Sequence, residues 1–244
     1  MSNADIHFYF DPVCPFAWMT SKWVRIVQAQ RAYGVDWRFI SLRLINATVD
    51  YDRHFPVGYE AGHTAGLRLL RVAARTRAEH GRAWIGPLYA AIGARVFDTA
   101  AEPDRADGGY RGTRTFLEPI LSEAGLPAEL ADALDDTSFD AELRRETDEA
   151  LALTGKDVGT PIIHFQSPDG VGFFARWSAA CPARPRPSRC GTTSSAWPVF
   201  RASPSSNAAC PSGRSYAASA WNLAGSASRR TGTPAAGTPR DSGA

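Results

Sequence analysis

The stretch "FDPVCPFAW", residues 10–18, sets one cysteine, Cys14, directly before a proline and within a run of aromatic residues. A cysteine where a strand gives way to a helix is placed to act as a nucleophile. The unpaired N–H groups and the dipole of a helix N-terminus stabilise a thiolate. In such settings a thiol pKa falls from about 8.5 into the range of about 3.5–7.5. Asp11 opposes this if its carboxylate lies close. Where a dithiol C-x-x-C site carries its second sulfur, this chain has Ala17. A dithiol attacks a disulfide and its second thiol then resolves the mixed disulfide. Cys14 performs only the first half, so a small thiol from solution must finish the cycle. Such a site adds or removes a thiol cap and stores no internal disulfide. The alternative for a lone cysteine is a small buried core residue.

The elements that must position Cys14 are legible around it. "IHFYF" (6–10) alternates and reads as a strand. "DPVCP" is a loop, and Pro15 suits the first turn of a helix. "FAWMTSKWVRIVQAQRAY" repeats apolar residues at helical spacing, from Trp18 to Val27, and Gly34 reads as its end. "VDWRFISLRLI" alternates and reads as a second strand. A β-α-β unit of this kind implies a parallel pair with a crossover helix. Residues 56–155 are mostly helical in pattern, with Pro87 near one helix start and Ser138 near another. "TPIIHF" (160–165) is a short strand, "SPDG" a turn and "VGFF" the hairpin partner. Thr160-Pro161 by itself is an ordinary strand-opening proline. His164 reads as a strand residue. The five histidines show no metal spacing, so no metal site is expected, and no phosphate-binding loop is visible.

The chain has 244 residues, 44% hydrophobic and 21% charged, enough for one sizeable domain with an insertion. No secretory pattern and no apolar run of membrane length is visible, which points to the cytoplasm, where thiols stay reduced. The charge is uneven. Nine arginines and one acid, Asp241, follow Phe174, so that part is about +8 and residues 1–174 are about −6.

Taken together, "FDPVCPFAWMTSKWV", "ISLRLIN" and "DVGTPIIHF" resemble the DsbA-like branch of the thioredoxin superfamily, in particular its actinobacterial, mycothiol-dependent reductase group. The resemblance covers roughly residues 5–174. It implies an α/β thioredoxin fold with a helical insertion at about 56–155. It implies thiol–disulfide exchange with Cys14 as nucleophile and Pro161 as a cis-proline that positions substrate. A low-molecular-weight thiol, mycothiol or a glutathione-like compound, would serve as co-substrate, with no bound cofactor. Pro15, Phe16 and Thr160 would shape the substrate cleft. Asn46 and Tyr59 would line it by the same resemblance, whereas locally they read equally well as a turn residue and a surface aromatic. The partners implied are small-molecule thiols or disulfides, with neither nucleic acid nor membrane, and the oligomeric state is open. Ala17 departs from the redox members. The other readings are a kappa-type glutathione transferase or isomerase, a non-enzymatic pseudo-oxidoreductase, and the inactive product of a damaged gene.

Damage is suggested by residues 175–244. They hold one Leu and one Val, with no Ile, Met, Glu or Lys, and three cysteines, Cys181, Cys190 and Cys210, at no recognised spacing. By composition this tail is disordered. It also fits a reading-frame shift near codon 175. Shifted back, "RCGTTSSAWP" is compatible with the amphipathic string LWDDVIGLA, and "ARWSAACP" with PVVSRLP. On that reading the arginines follow from GC-rich codons read out of frame, and nucleic-acid binding is not expected.

Overall fold

The structure is a computed structural model and describes residues 4–31, 33–99, 108–155, 159–166 and 169–175. What the sequence suggests about the frame and disorder of residues 176–244 lies outside the described residues, as does part of the "SPDG" turn.

The strands are β1 (Ile6–Phe10), β2 (Val35–Phe39), β3 (Ile162–Phe165) and β4 (Gly172–Phe174). They form a mixed four-stranded sheet in the order β2-β1-β3-β4. β1 and β2 run parallel, with Phe8 opposite Trp37. The crossover between them is α1 (Pro15–Gln30), as the β-α-β pattern requires. β3 runs antiparallel to β1, and β4 antiparallel to β3. The chain is therefore α/β, with helices outnumbering strands.

Strand alternation divides the apolar residues between two faces. Phe8, Phe10, Phe39 and Ile163 point into the larger core, with Trp18 and Val24 of α1. Tyr9 and Ile162 point the other way, toward Ala150. Residues 42–155 supply α2 (Leu42–Ile45), α3 (Tyr51–His54), α4 (Tyr59–His80), α5 (Ile85–Gly93), α6 (Arg114–Glu123) and α7 (Asp140–Thr154). α4 is the spine of this region, burying Leu67, Leu69, Leu70, Val72, Ala73 and Ala74.

Local readings differ from the structure in four places. The second strand stops at Phe39, and Leu42–Ile45 is a helical turn. Its alternating pattern was overridden by polar partners: the Asp11 carboxylate accepts from Leu42 N, and Ser41 Oγ accepts from Leu44 N. α1 ends at Gln30, and Gly34 N donates to Asp5 Oδ2 instead of capping it. The helix expected over "RAWIGPLYAAIGARVFDTA" is broken into a 3₁₀ turn (Arg82–Trp84), α5 and a π-helical stretch (Ala94–Asp98). "PAELADAL" forms 3₁₀ turns, Ala128–Asp135.

The core tolerates little added volume at the α1–α5 contact. A Cβ on Gly93 would run into the Trp18 ring, which is itself 5% exposed and tied to Asp98 through Nε1 at 3.1 Å. Gly93→Ala is expected to cost about 1–3 kcal/mol by overpacking. A thermal melt checks this: an unchanged Tm would mean that Trp18 moves freely.

Candidate active site

Cys14 is the N-cap of α1 and Pro15 its first residue. Proline is favoured there because its missing N–H would have no helical partner in any case. The Cys14 thiol is 5% exposed. Its S–H donates to the Thr160 carbonyl at 3.3 Å, and its sulfur accepts from Ala17 N at 3.5 Å. Residues far apart in sequence thus meet at one sulfur. The Thr160–Pro161 peptide bond is cis, Thr160 is 2% exposed and its Oγ1 donates to Tyr9 O at 3.4 Å. Phe16 is half-buried against the core, and Met19, one turn further along α1, is 46% exposed.

The expected thiolate is not what this environment holds. Burial pushes the Cys14 thiol up to about 12. The backbone N–H of Ala17 acts against that, the nearby Asp11 charge adds to it, and the N–H of Phe16 again lowers it. Desolvation outweighs the helix terminus, so Cys14 at rest is a neutral hydrogen-bond donor.

Asp11 lies beneath the same loop and is fully buried. Its Oδ1 accepts from Val13 N at 3.0 Å and its Oδ2 from Leu42 N at 2.8 Å. Burial raises its carboxyl to about 7, against the lowering effect of those two N–H groups. Tyr89 of α5 stacks on Phe10 at 3.8 Å, and burial raises its hydroxyl well above the ordinary range, with the Cys14 charge acting in the same direction. Nothing near "CPFA" in the sequence signals Tyr89, because it reaches the site through α5.

The two residues assigned to the cleft by resemblance have local roles. Asn46 is the C-cap of α2, and its Nδ2 donates to Leu42 O at 2.8 Å. Tyr59 is 7% exposed and stacks on Phe55 at 5.6 Å, beside a buried His63 whose Nδ1 meets Tyr51 Oη at 3.0 Å. A cleft of about 550 Å³ opens nearby between Tyr51, Phe55, Glu60, Thr64 and Arg68. Neither Cys14, Phe16, Thr160 nor Pro161 lines it. Among the described residues no group of three or more His, Cys, Asp or Glu is arranged to hold a metal ion, and no helix is long and apolar enough to cross a membrane.

Known proteins match this arrangement over most of its length. The uncharacterized protein Rv2286c of Mycobacterium tuberculosis is 31% identical over 181 residues, covering 74% of this chain and 71% of that protein. The family model described as the mycothiol-dependent nitroreductase Rv2466c matches residues 13–189. That match begins one residue before Cys14 and runs past the compositional break at Phe174. Cys14, the helical region, the Thr160–Pro161 junction and the β3–β4 hairpin all fall inside it, and the chain belongs to the Rv2466c-like family.

Proposed function

We propose that this chain is a thiol–disulfide oxidoreductase of DsbA type that works through Cys14 alone, with mycothiol or a similar low-molecular-weight thiol as co-substrate. The observation that carries the reading is the meeting of Cys14, at the N-cap of α1, with the carbonyl of Thr160. Membership in a family named for mycothiol dependence supports a redox role linked to that thiol. Cys14 is the one cysteine among the described residues, and Ala17 is fully buried where a resolving sulfur would sit. The cycle then has two exchanges. The Cys14 thiolate attacks a disulfide, forming a mixed disulfide and releasing one thiolate. A second thiolate from solution attacks that mixed disulfide, leaves as a new disulfide and restores Cys14.

In this reading residues 1–174 form a thioredoxin-type domain, a topology with which the mixed sheet is compatible. Pro161, Thr160, Pro15 and Phe16 frame the approach to sulfur. Asn46 and Tyr59 support the neighbouring wall, since their side chains are engaged within it. The reaction belongs in the cytoplasm, where small thiols are abundant. The tail of residues 175–244 is read as out of frame, and sequencing the gene tests that.

One observation favours a second reading. A neutral Cys14 that donates a hydrogen bond could stabilise the thiolate of a bound co-substrate without forming a disulfide, as in kappa-type transferases. Incubating the full chain with mycothiol disulfide, quenching in acid and mapping peptides by mass spectrometry separates the two. The expected result is one mycothiol on the peptide that contains Cys14. Its absence there, with or without adducts on Cys181, Cys190 or Cys210, would sink the exchange reading.

A further inference from the structure

His7 and His164 stand directly opposite each other across the antiparallel β1–β3 pair. Their rings meet edge to face, with centroids 5.9 Å apart and planes at 86°. On the other side of β1, His7 stands opposite Asp36 of β2, so three ionisable side chains form one row across the sheet. Strand alternation puts this row on the Tyr9 and Ile162 face, which packs toward α7. Both imidazoles are removed from water: the His7 side chain is 12% exposed and His164 is 5% exposed. One buried nitrogen on each ring, His7 Nδ1 and His164 Nε2, has no hydrogen-bond partner among the described residues.

Those two nitrogens decide which form the fold accepts. A neutral imidazole carries one N–H and one lone pair, and a lone pair facing apolar surroundings is a modest loss. Protonation turns it into the N–H of a buried cation with no acceptor, which costs more. The charged groups around the pair give little relief. Asp36 Oδ2 lies 4.0 Å from His7 Nε2, but both Asp36 oxygens already accept from Arg82 Nη1 at 2.9 Å, and Arg38 Nε stands 3.9 Å away. α7 contributes Glu149, which already accepts from Arg38 Nη1 at 2.7 Å and from Tyr9 Oη at 3.2 Å. On the far side of His164, β4 contributes Gly172, which carries no side chain. Burial holds His7 below its ordinary value; Arg38 and His164 act in the same direction, and Asp36 and Glu149 oppose them.

The pair bears on the cysteine site through the strands that carry it. β1 runs on into the Cys14 loop, and β3 begins two residues after Thr160. The pairing of these strands is what brings the Thr160 carbonyl within 3.3 Å of Cys14 Sγ. We propose that His7 and His164 are an acid-sensitive latch: neutral, they hold β3 against β1; protonated, they part and carry Thr160 away from Cys14. Each ring takes one proton from water, and no bond other than N–H forms or breaks. The sign follows from linkage. Below about pH 6.5 the unfolded chain binds protons on both histidines and the folded chain resists, so the stabilisation is complete above that value and is lost as pH falls below it. The latch does not require that Cys14 form a mixed disulfide.

The test is urea unfolding of the full chain between about pH 8 and pH 5, compared with His7→Phe/His164→Phe. The double variant keeps two rings in contact and removes both bases. Over that interval each histidine that the fold keeps neutral raises the unfolding constant about 30-fold, so wild type should gain up to about 10³-fold over the variant. His63, which burial lowers to about 4, is present in both chains and cancels. A relative gain above about tenfold supports the latch, and a smaller one overturns it. Should the variant fail to fold, the wild-type ring protons decide by NMR titration. The two histidine signals joined by mutual cross-relaxation should stay neutral to well below about pH 6, and titration of either near 6.5 overturns the proposal. Release of Thr160 is read by hydrogen exchange at Ile162–Phe165, corrected for the intrinsic pH dependence. Protection there should fall about tenfold or more between pH 7 and pH 5, and equally in Cys14→Ser. Unchanged protection would overturn the release, whereas a fall in both chains without any mixed disulfide on Cys14 would keep the latch and remove the exchange reading.

Discussion

Cys14→Ser is expected to eliminate the mixed disulfide and to reduce exchange turnover by on the order of 10³-fold or more, the scale on which removal of an attacking nucleophile acts. The substitution is close to isosteric. A serine hydroxyl still donates to the Thr160 carbonyl and still accepts from Ala17 N, the two contacts that the thiol makes. Fold and melting temperature should therefore change little, so the loss reports on chemistry. Turnover is followed by the release of a chromogenic thiol from its mixed disulfide with mycothiol. The same variant discriminates between the two catalytic readings. An enzyme that used Cys14 only as a donor to a bound thiolate would keep substantial activity with a serine donor, and retained turnover would count decisively for the transferase.

Glu146→Ala is expected to be the most destabilising single change, at about 3–5 kcal/mol, the cost of leaving buried charges without a partner. Glu146 is fully buried on α7. It lies 3.0 Å from Arg77 Nη1 and 3.4 Å from Arg38 Nη2, and it accepts from Phe39 N at 2.9 Å. One carboxylate thus joins α7, α4 and β2. Removing it leaves two largely buried guanidinium groups and a backbone N–H facing a void. Arg77 keeps Glu142 at 2.6 Å and Arg38 keeps Glu149 at 2.7 Å, so the network frays without vanishing. At roughly 2–4 °C per kcal/mol for a chain of this size, Tm should fall by about 10 °C. Arg114→Ala is the control: Arg114 pairs with Glu118 and Asp132 on the surface, and its loss should leave the melt unchanged. Similar melts for both variants would contradict the account.

These residues show where reading along the chain succeeds and where it stops. The aromatic alternation of Ile6–Phe10 and the proline after Cys14 are local signals, and β1, α1 and the parallel β1–β2 pair follow from them. "ISLRLI" misleads for a physical reason. Its alternation favours a strand, but the amide of Leu42 is claimed by Asp11 and Ser41 N donates to Thr147 Oγ1 at 3.1 Å, contacts that exist only once α7 and the active-site loop have packed. In the same way Asp135-Asp136 and Glu142-Glu146 look in the sequence like solvated helix faces. Asp135 is indeed exposed, while Glu146, nearby on α7, is fully buried, and only the positions of Arg38 and Arg77 separate the two.

At the site itself, the sequence alone determines that one sulfur stands at a helix start, that a proline follows it and that no second sulfur is three residues away. Those are covalent and short-range facts, carried by Cys14, Pro15 and Ala17. Whether that sulfur is an anion was decided by tertiary structure. The local helix terminus favours the thiolate, but the thiol is buried: Thr160 meets it directly, and α4 packs at Gly66 against Asp11 and Val13 of the same loop. The dipole of a helix acts within one turn, whereas desolvation is summed over every element that packs against the thiol. That sum is why Cys14 rests neutral.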